Sequence, residues 1–427
     1  AISVGVVTFQ FDLKTPTFYY EKPDPHQIIF FATPLLTPMH TTASAPHHTP
    51  VPPLDTTPSP RFDLADPSQA LAFDTHLHQH GYAVVASVAS STQILRSRSL
   101  FWDALENMPA TTQTSRHDPT TWYNTKHHPW LPSPRNGIVS YMGQSDFCWS
   151  LRTLPTVQHA FQRIWNTTEP MICSFDGGAA FRPWQRDVQW LTDGGWWHLD
   201  QNGQRKGKQC VQGLVSLYDA NEMTGGLCVI PGSHQAFEAV SARQSQTPMD
   251  FVPVRKGDAI LKNGGKLVCC KAGDLIVWDS RTVHCNTPAS TAVVANALQK
   301  KEQKKEPPQN DAPTHMQPTE TQNEDTGTPV HSTDEHNELI RLVAYVCMVP
   351  RSFASDKTIA LRKKAFETNT QTSHWPHHNV RARPMPDGSN RRDWDSAPAN
   401  VRALVIGSSS GQAEEEEQKG TGGCSIL

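Results

Sequence analysis

Between residues 211 and 349 the chain alternates short apolar runs with turn residues. The runs are VQGLVSLY from 211, GGLCVIPGSH from 225, GDLIVWDSRTVH from 273 and RLVAYVCMV from 341. Each run has the length and the β-branched content of a strand, and Gly, Pro or Asn stand between them. Several such strands in succession predict an antiparallel sandwich or jelly roll, a double sheet that closes around a site between its walls.

Segments with helical spacing flank these strands. Asp66 precedes a Pro and is followed three residues later by a Gln, which is typical of a helix N-terminus. Leu71, Phe73 and Leu77 then predict an apolar side, and Gly81 is placed to end the helix. A second amphipathic helix is predicted over 154–165.

A third helix is predicted over 355–369, after the last strand. Its inward positions are Ile359, Leu361, Ala365 and Phe366, and its outward positions are Arg362, Lys363 and Lys364. We therefore expect a mainly β fold with helices packed on the outside.

Composition divides the chain into parts that can form a core and parts that cannot. With 34 prolines and a mean hydropathy of -0.52, the folded part is predicted to be shorter than the 427 residues. We predict a Pro-rich flexible leader at 1–60, one domain at 61–380, and a Gly/Ser-rich acidic tail at 381–427. Residues 296–337, which are highly charged and have almost no aliphatic side chains, are predicted to be a disordered insertion between two core strands.

Charge and cysteine content exclude several classes of function. The net charge of -3 gives no electrostatic case for nucleic-acid binding. Nine scattered cysteines without a CxxC motif predict reduced thiols in an intracellular protein. No apolar run has the length of a membrane span. We expect a cytoplasmic protein, with membrane contact only if the terminal Cys424-Ser-Ile-Leu is prenylated, and this motif departs from the consensus at Ser425.

The strongest chemical signal is His198-x-Asp200, directly before the first of the strand runs. On a strand, residues two apart point to the same face, so this spacing aims an imidazole and a carboxylate at one point. His284 ends another apolar run and is the best candidate for a third ligand. Two histidines and one carboxylate form the facial triad of non-haem Fe(II) oxygenases. His-x-Asp alone is common by chance, so the surrounding strands carry the prediction.

Taken together, WWHLDQ, VQGLVSLYD, TGGLCVIPGSH, AGDLIVWDSRTVHCNTP and RLVAYVCM occur in the order found in one family. Over roughly residues 62–380 the chain resembles the phytanoyl-CoA dioxygenase family of Fe(II)- and 2-oxoglutarate-dependent oxygenases. The resemblance implies a double-stranded β-helix (jelly roll, cupin-like) core. It also implies iron bound by His198, Asp200 and His284, with 2-oxoglutarate and O2 as co-substrates.

The resemblance also indicates where 2-oxoglutarate would be held. In such enzymes a basic residue on the strand after the distal histidine binds the far carboxylate. Arg341 opens that strand here, once the predicted insertion is discounted, and a guanidinium suits a bidentate carboxylate contact. Arg281 is a weaker alternative because it has the opposite strand parity to His284.

Other polar residues near the motif have less definite roles. Gln212 is a tentative co-substrate contact, and Gln201 is equally well explained by hydrogen bonding in a turn. His374 and Trp375, in the segment TSHWPHH, are placed either over the pocket or, as we favour, in ordinary packing. His234 belongs to a PGSH turn that we interpret as structural.

The predicted function is hydroxylation of a small organic substrate, with release of succinate and CO2. The resemblance implies that an intact Asp200 favours hydroxylation or desaturation over halogenation. Two alternatives stay open: a catalytically silent jelly-roll binding or scaffold protein, and a cupin-like metalloenzyme that does not use 2-oxoglutarate. The identity of the substrate is not encoded in a readable motif.

Overall fold

Thirteen strands form the centre of the protein, seen in a computed structural model that describes residues 54–108, 114–123, 132–245, 249–303, 338–378 and 392–408. The strands are β1 Arg61–Phe62, β2 Tyr82–Val85, β3 Ile138–Val139, β4 Met171–Cys173, β5 Gly178–Phe181, β6 His198–Leu199, β7 Val211–Ser216, β8 Gly226–Val229, β9 Val252–Pro253, β10 Lys266–Leu267, β11 Leu275–Asp279, β12 His284–Thr287 and β13 Arg341–Pro350. The helices are α1 Pro67–His80, α2 Ser91–Glu106, α3 Asp146–Arg152, α4 Pro155–Trp165, α5 Phe237–Ala242, α6 Thr291–Gln303, α7 Asp356–Glu367 and α8 Ala399–Ile406.

The strands build two sheets. The large sheet has the order β1-β2-β11-β7-β13-β5-β3, with β4 also paired to β13, and the small sheet has the order β10-β8-β12-β6-β9. All pairings are antiparallel except β1 with β2, and neither sheet closes on itself. The fold class is the predicted one, a jelly-roll core of mainly β structure with flanking helices.

Alternate residues of β13 show how the large sheet separates two apolar layers. Val343 faces the small sheet and packs with Leu227 and Val229 of β8, so one layer fills the space between the sheets. Leu342 and Ala344 point to the other face, where the helices supply the second layer. The helical contributors include Phe73, Phe101, Phe147, Phe161, Phe366 and Leu404. The space between the sheets is therefore the place where a site can be enclosed.

The N-terminal helix begins and ends as predicted, and one residue of its predicted apolar side is exposed. Asp66 accepts hydrogen bonds from the backbone N–H groups of the first turn, and Gly81 ends the helix in the left-handed conformation, at φ 77°. Leu71 was predicted to be inward and is 66% exposed. Phe73 is buried as predicted, Leu77 is partly buried against the core, and Ala70 is buried as well, because it is three residues from Phe73 and lies on the same helical face.

The predicted insertion and tail need correction. α6 continues to residue 303, so the first part of the predicted insertion at 296–337 is helical, consistent with its Ala, Leu, Gln and Lys content. α8 lies within the predicted tail at 381–427, and its Val401, Leu404 and Val405 are buried in the helical layer. Residues 304–337 lie outside the described residues, as do 1–53 of the predicted leader.

The end of the predicted leader also takes part in the fold. Asp55 forms a parallel bridge with Lys266 of β10, and its carboxylate lies 3.2 Å from the Lys266 ammonium. Proline disfavours a longer strand in this stretch, but one bridge needs only the N–H and C=O of a single residue. The domain boundary predicted at residue 60 is thus a few residues too late.

The eight cysteines within the described residues are free thiols, and Cys424 lies outside those residues. In the part of the chain that the structure describes, no helix combines the length and the apolar content needed to cross a membrane.

Candidate metal centre

Two neighbouring strands of the small sheet bring the two predicted histidines together. β6 begins at His198 and β12 begins at His284, and these residues are direct partners in the antiparallel pairing. Their ring centroids are 4.2 Å apart, and both side chains are buried. Directly opposed residues of an antiparallel pair point to the same face, which explains why histidines 86 positions apart in sequence meet here.

Asp200 completes the cluster from just beyond the end of β6. Its Oδ2 atom lies 3.7 Å from Nε2 of His198 and 3.4 Å from Nε2 of His284. The three side chains form the group of potential metal ligands found among the described residues, with all ligand atoms within 4.8 Å of one another. The structure therefore brings together the three residues that the sequence predicts.

Backbone carbonyls orient both imidazole rings. Nδ1 of His198 lies 3.2 Å from the carbonyl oxygen of Trp196, and Nδ1 of His284 lies 2.9 Å from that of Thr282. A carbonyl oxygen only accepts, so each Nδ1 carries the hydrogen and donates it. In the neutral form of either ring the lone pair is consequently on Nε2, the atom that faces Asp200.

Burial and neighbouring groups shift the pKa values of two of the three side chains in the directions that favour metal binding. Burial lowers the pKa of His198, and the adjacent His284 lowers it further. Burial acts to raise the pKa of Asp200, but the neighbouring imidazoles of His198, His374 and His284 outweigh this effect and hold that pKa well below its ordinary range. Two neutral imidazoles and an ionised carboxylate are the forms that bind a metal. The donor set of two nitrogens and one oxygen fits iron.

Gln212 supports the carboxylate from the large sheet. Its amide nitrogen donates to Oδ2 of Asp200 at 3.1 Å. Gln212 thus contacts one of the three potential metal ligands, while a contact with a co-substrate stays a prediction. Gln201 lies in the following turn, where its amide donates to the carbonyls of Arg205 and Gly207.

Arg341 lies between the same two sheets, at the start of β13. It is 2% exposed, its guanidinium is 4.8 Å from the ring centroid of Phe181, and it donates to Oδ1 of Asn286 at 3.3 Å. Within the described residues no carboxylate forms an ion pair with it. Asn286 is two residues from His284 on β12, so Arg341 and the cluster share one face of that strand.

The alternative arginine lies elsewhere. Arg281 forms a two-pronged ion pair with Asp279 and lines a separate groove of about 1290 Å³ on the helical side. His234 lines that groove as well, and its Nε2 contacts the carbonyl oxygen of His78. Neither residue is in the metal cluster.

Sequence reasoning missed one residue near the site, Asn286, and favoured the wrong alternative for a second, His374. Asn286 was detectable, since it has the same strand parity as His284. His374 was assigned to ordinary packing, but its Nε2 lies 3.1 Å from the carbonyl oxygen of Asp200. No spacing rule connects residues 174 positions apart, so this contact required the fold.

The fold and the cluster together define a class, the jelly-roll proteins that carry two histidines and a carboxylate between their sheets. Residues 77–297, just over half of the chain, match the family described as phytanoyl-CoA dioxygenase (PhyH). The chain belongs to this family. His198, Asp200, Gln212 and His284 are inside the matched range, and Arg341 and His374 are beyond it.

The chain is also similar to curated proteins and to solved structures. The chain is 28% identical over 278 residues to "Ava biosynthesis cluster protein O" of Aspergillus versicolor, which covers 62% of this chain and 73% of that protein. It is 24% identical over 242 residues to "Putative phytanoyl-CoA dioxygenase" of Dictyostelium discoideum, covering 48% and 67%. Among crystal structures it is similar to the epimerase SnoN in complex with Fe3+, alpha ketoglutarate and nogalamycin RO, with 13% identity, a TM-score of 0.38 and coverage of 67% and 85%. That structural similarity is too distant to bear on the reaction.

Proposed function

We propose that this protein is an Fe(II)- and 2-oxoglutarate-dependent dioxygenase that hydroxylates a small organic substrate. The observation that carries the proposal is the pairing, in one space between the sheets, of the His198, Asp200 and His284 cluster with a buried arginine that has no acidic partner among the described residues. When bound, iron and 2-oxoglutarate would supply the oxidising chemistry, which amino-acid side chains cannot perform.

The separation of the two features suits a short dicarboxylate. Arg341 contacts Asn286, and Asn286 is two residues along β12 from His284, a distance of about 7 Å at the rise of an extended strand. A five-carbon 2-oxo diacid held at the metal cluster by one end would have its other carboxylate near the guanidinium. Burial lowers the pKa of Arg341, and an anionic ligand would offset the cost of that buried charge.

Aromatic rings shield the cluster from solvent. Trp196 stacks on His198 at 4.9 Å with an interplanar angle of 7°, and Phe251 lies 4.6 Å from the same ring. Trp278, on the inner face of the large sheet, lies 5.5 Å from His284. An apolar surround of this kind strengthens the electrostatic interactions within the site and limits access of water.

The proposal is tested by anaerobic titration of the purified apoprotein with Fe(II) and then with 2-oxoglutarate. We expect the weak visible charge-transfer band of the chelate, and succinate after O2 is admitted. The band should be lost in His198→Ala, which removes a ligand, and weakened in Arg341→Ala, which removes the distal contact.

A double variant, Asp279→Asn with Arg281→Ala, is the matched control. It removes an arginine of the same type from outside the site and leaves no carboxylate buried without a partner, so the band should persist. Folded protein that gives neither band nor succinate would instead support the silent jelly-roll protein. Iron binding without any response to 2-oxoglutarate would support the cupin-like alternative.

A further inference from the structure

The segment 370–378 follows α7 and returns to the potential metal ligands, where His374 contacts Asp200. Its attachment does not depend on His374. The carbonyl oxygen of Thr370 accepts from the amide of Gln144, the side chain of Gln371 accepts from the N–H of Gly143, and Thr372 exchanges two hydrogen bonds with Phe175. The segment is thus fixed to Gly143, Gln144 and Phe175 before it reaches Asp200.

A second set of contacts fixes the segment on the far side of His374. The indole of Trp375 is 1% exposed and lies 4.5 Å below the guanidinium of Arg205. That guanidinium also contacts Nε2 of His378 at 2.9 Å and pairs with Asp250 at 2.8 Å. Since Arg205 belongs to the turn that follows the metal motif, the segment and the motif are joined at this point.

His374 lies between these two attachments and contacts the backbone of a proposed metal ligand. Because the carbonyl oxygen of Asp200 only accepts, Nε2 of His374 donates the 3.1 Å hydrogen bond. β6 ends at Leu199, so Asp200 is not held by that strand's pairing. Its N–H donates to the carbonyl oxygen of Ser280 at 3.1 Å, and its carboxylate accepts from Gln212.

We propose that His374 is a positioning residue of the metal centre: its hydrogen bond to the Asp200 carbonyl fixes the backbone from which the carboxylate ligand projects. Asp200 then has one contact on its N–H, one on its C=O and one on its side chain, each from a different part of the chain. The contacts of the N–H and the C=O fix the backbone at Asp200, and the contact with Gln212 restricts the side-chain torsions, so together they set the direction of the carboxylate. The inference rests on the proposed function, because it assigns a role at the same site.

The test is Co(II) binding by the full chain without oxygen, followed by the ligand-field bands of Co(II), in wild type, His374→Ala and His374→Gln. We expect His374→Ala to bind Co(II) about tenfold more weakly and to show altered bands, as is typical when an outer contact to a ligand is lost. Gln places an amide N–H near the position of Nε2, so His374→Gln should recover most of the affinity and the wild-type bands.

His378→Ala is the matched control, because it removes a histidine of the same segment that contacts Arg205 and not Asp200. It should bind Co(II) as wild type does. Thermal unfolding of the metal-free variants distinguishes lost positioning from a detached segment, and we expect the same midpoint for both His374 variants.

Two results would overturn the inference alone: equal affinity and bands for wild type and His374→Ala, or a His374→Gln variant as impaired as His374→Ala. If wild type itself does not bind Co(II), the proposed function fails and this inference fails with it.

Discussion

Arg341 and Arg362 are two arginines buried to nearly the same degree, at 2% and 4% exposure, and each guanidinium lies over a phenylalanine ring. Their hydrogen bonds differ. Arg362 donates to the carbonyl oxygens of Val405, Pro376, Cys173 and Leu404, at 2.6–3.1 Å. Arg341 donates only to Asn286 among the described residues.

The difference shows how a buried arginine with a structural role is distinguished from one that is available to bind a ligand. Burial lowers the pKa of both guanidinium groups, that of Arg362 to about 10. An arginine side chain keeps its charge in proteins near neutral pH. Arg362 replaces its lost hydration with four carbonyl dipoles from three separate segments, and it thereby joins α7 to α8 and β4. Among the described residues Arg341 makes a single hydrogen bond, to Asn286, which leaves most of its five N–H donors without a protein partner there.

The largest expected effect is on folding stability. Arg362→Met leaves four carbonyl oxygens without their donor, so we expect the free energy of unfolding to fall by about 3 kcal/mol or more. Arg341→Met removes a charge without an acidic partner and should change it by less than about 1 kcal/mol, or raise it. Urea unfolding of both metal-free variants, followed by tryptophan fluorescence, measures the contrast. Equal losses would mean that Arg341 is also structural.

The next effect concerns ligand binding. Arg341→Met should weaken 2-oxoglutarate about a hundredfold, since the distal carboxylate loses its buried partner. Arg341→Lys keeps the charge without the planar pair of donors, so we expect about a tenfold loss. Anaerobic titration of the Fe(II) protein measures both values.

Pyruvate is a sharp control for this experiment, because it has the 2-oxo acid group and lacks the distal carboxylate. It should bind weakly to wild type and to the same extent in both variants. A loss of pyruvate binding that matches the loss of 2-oxoglutarate would place Arg341 at the metal end, against our proposal.

These two arginines also show which features of the structure could be predicted from the sequence. The main strands and the two histidines were predictable, because strand parity and β-branched runs are local signals and β6 and β12 carry one histidine each. Arg341 was found through its place at the start of the strand after His284. Arg362 was predicted to be outward, and it is buried, because α8 covers that face of α7 and was itself read as part of a flexible tail.

The sequence itself holds a local signal for α8, whereas the contact of His374 has none. The segment VRALVI at 401–406, apolar except for Arg402, is followed by Gly407, which adopts φ 73° at the helix C-terminus. This is a helix-ending pattern that the acidic tail beyond it obscured. By contrast, the contact of His374 with Asp200 depends on the path of the whole C-terminal segment. Tertiary contacts between distant segments have no periodicity, so only the fold could show this one.

His377 is a third buried basic side chain, and it differs from the two arginines because it can lose its charge. The effect on stability that we expect from it is the smallest of the three. It is 6% exposed, lies among Phe353, Trp375 and His378, and neither ring nitrogen has a hydrogen-bond partner in the described structure. Burial, with the nearby positive charges of His378 and Arg205, lowers its pKa to about 3. Unlike an arginine, this side chain can stay neutral.

The sign of the pH dependence follows from that lowered pKa. Above about pH 6.5 the imidazole is neutral in both the folded and the unfolded chain, so it contributes no pH dependence. As the pH falls from 6.5 towards 3, the unfolded chain takes up the proton and the folded chain does not, and stability is lost.

Between pH 7 and pH 5 we expect His377→Leu to remove about 1–2 kcal/mol of the wild-type decrease in the free energy of unfolding. His117→Leu, at an exposed histidine, controls for the loss of one imidazole. If urea unfolding at the two pH values gives the same decrease in wild type and His377→Leu, then His377 is protonated in the folded protein, and its site must resemble that of Arg362 in holding a charge.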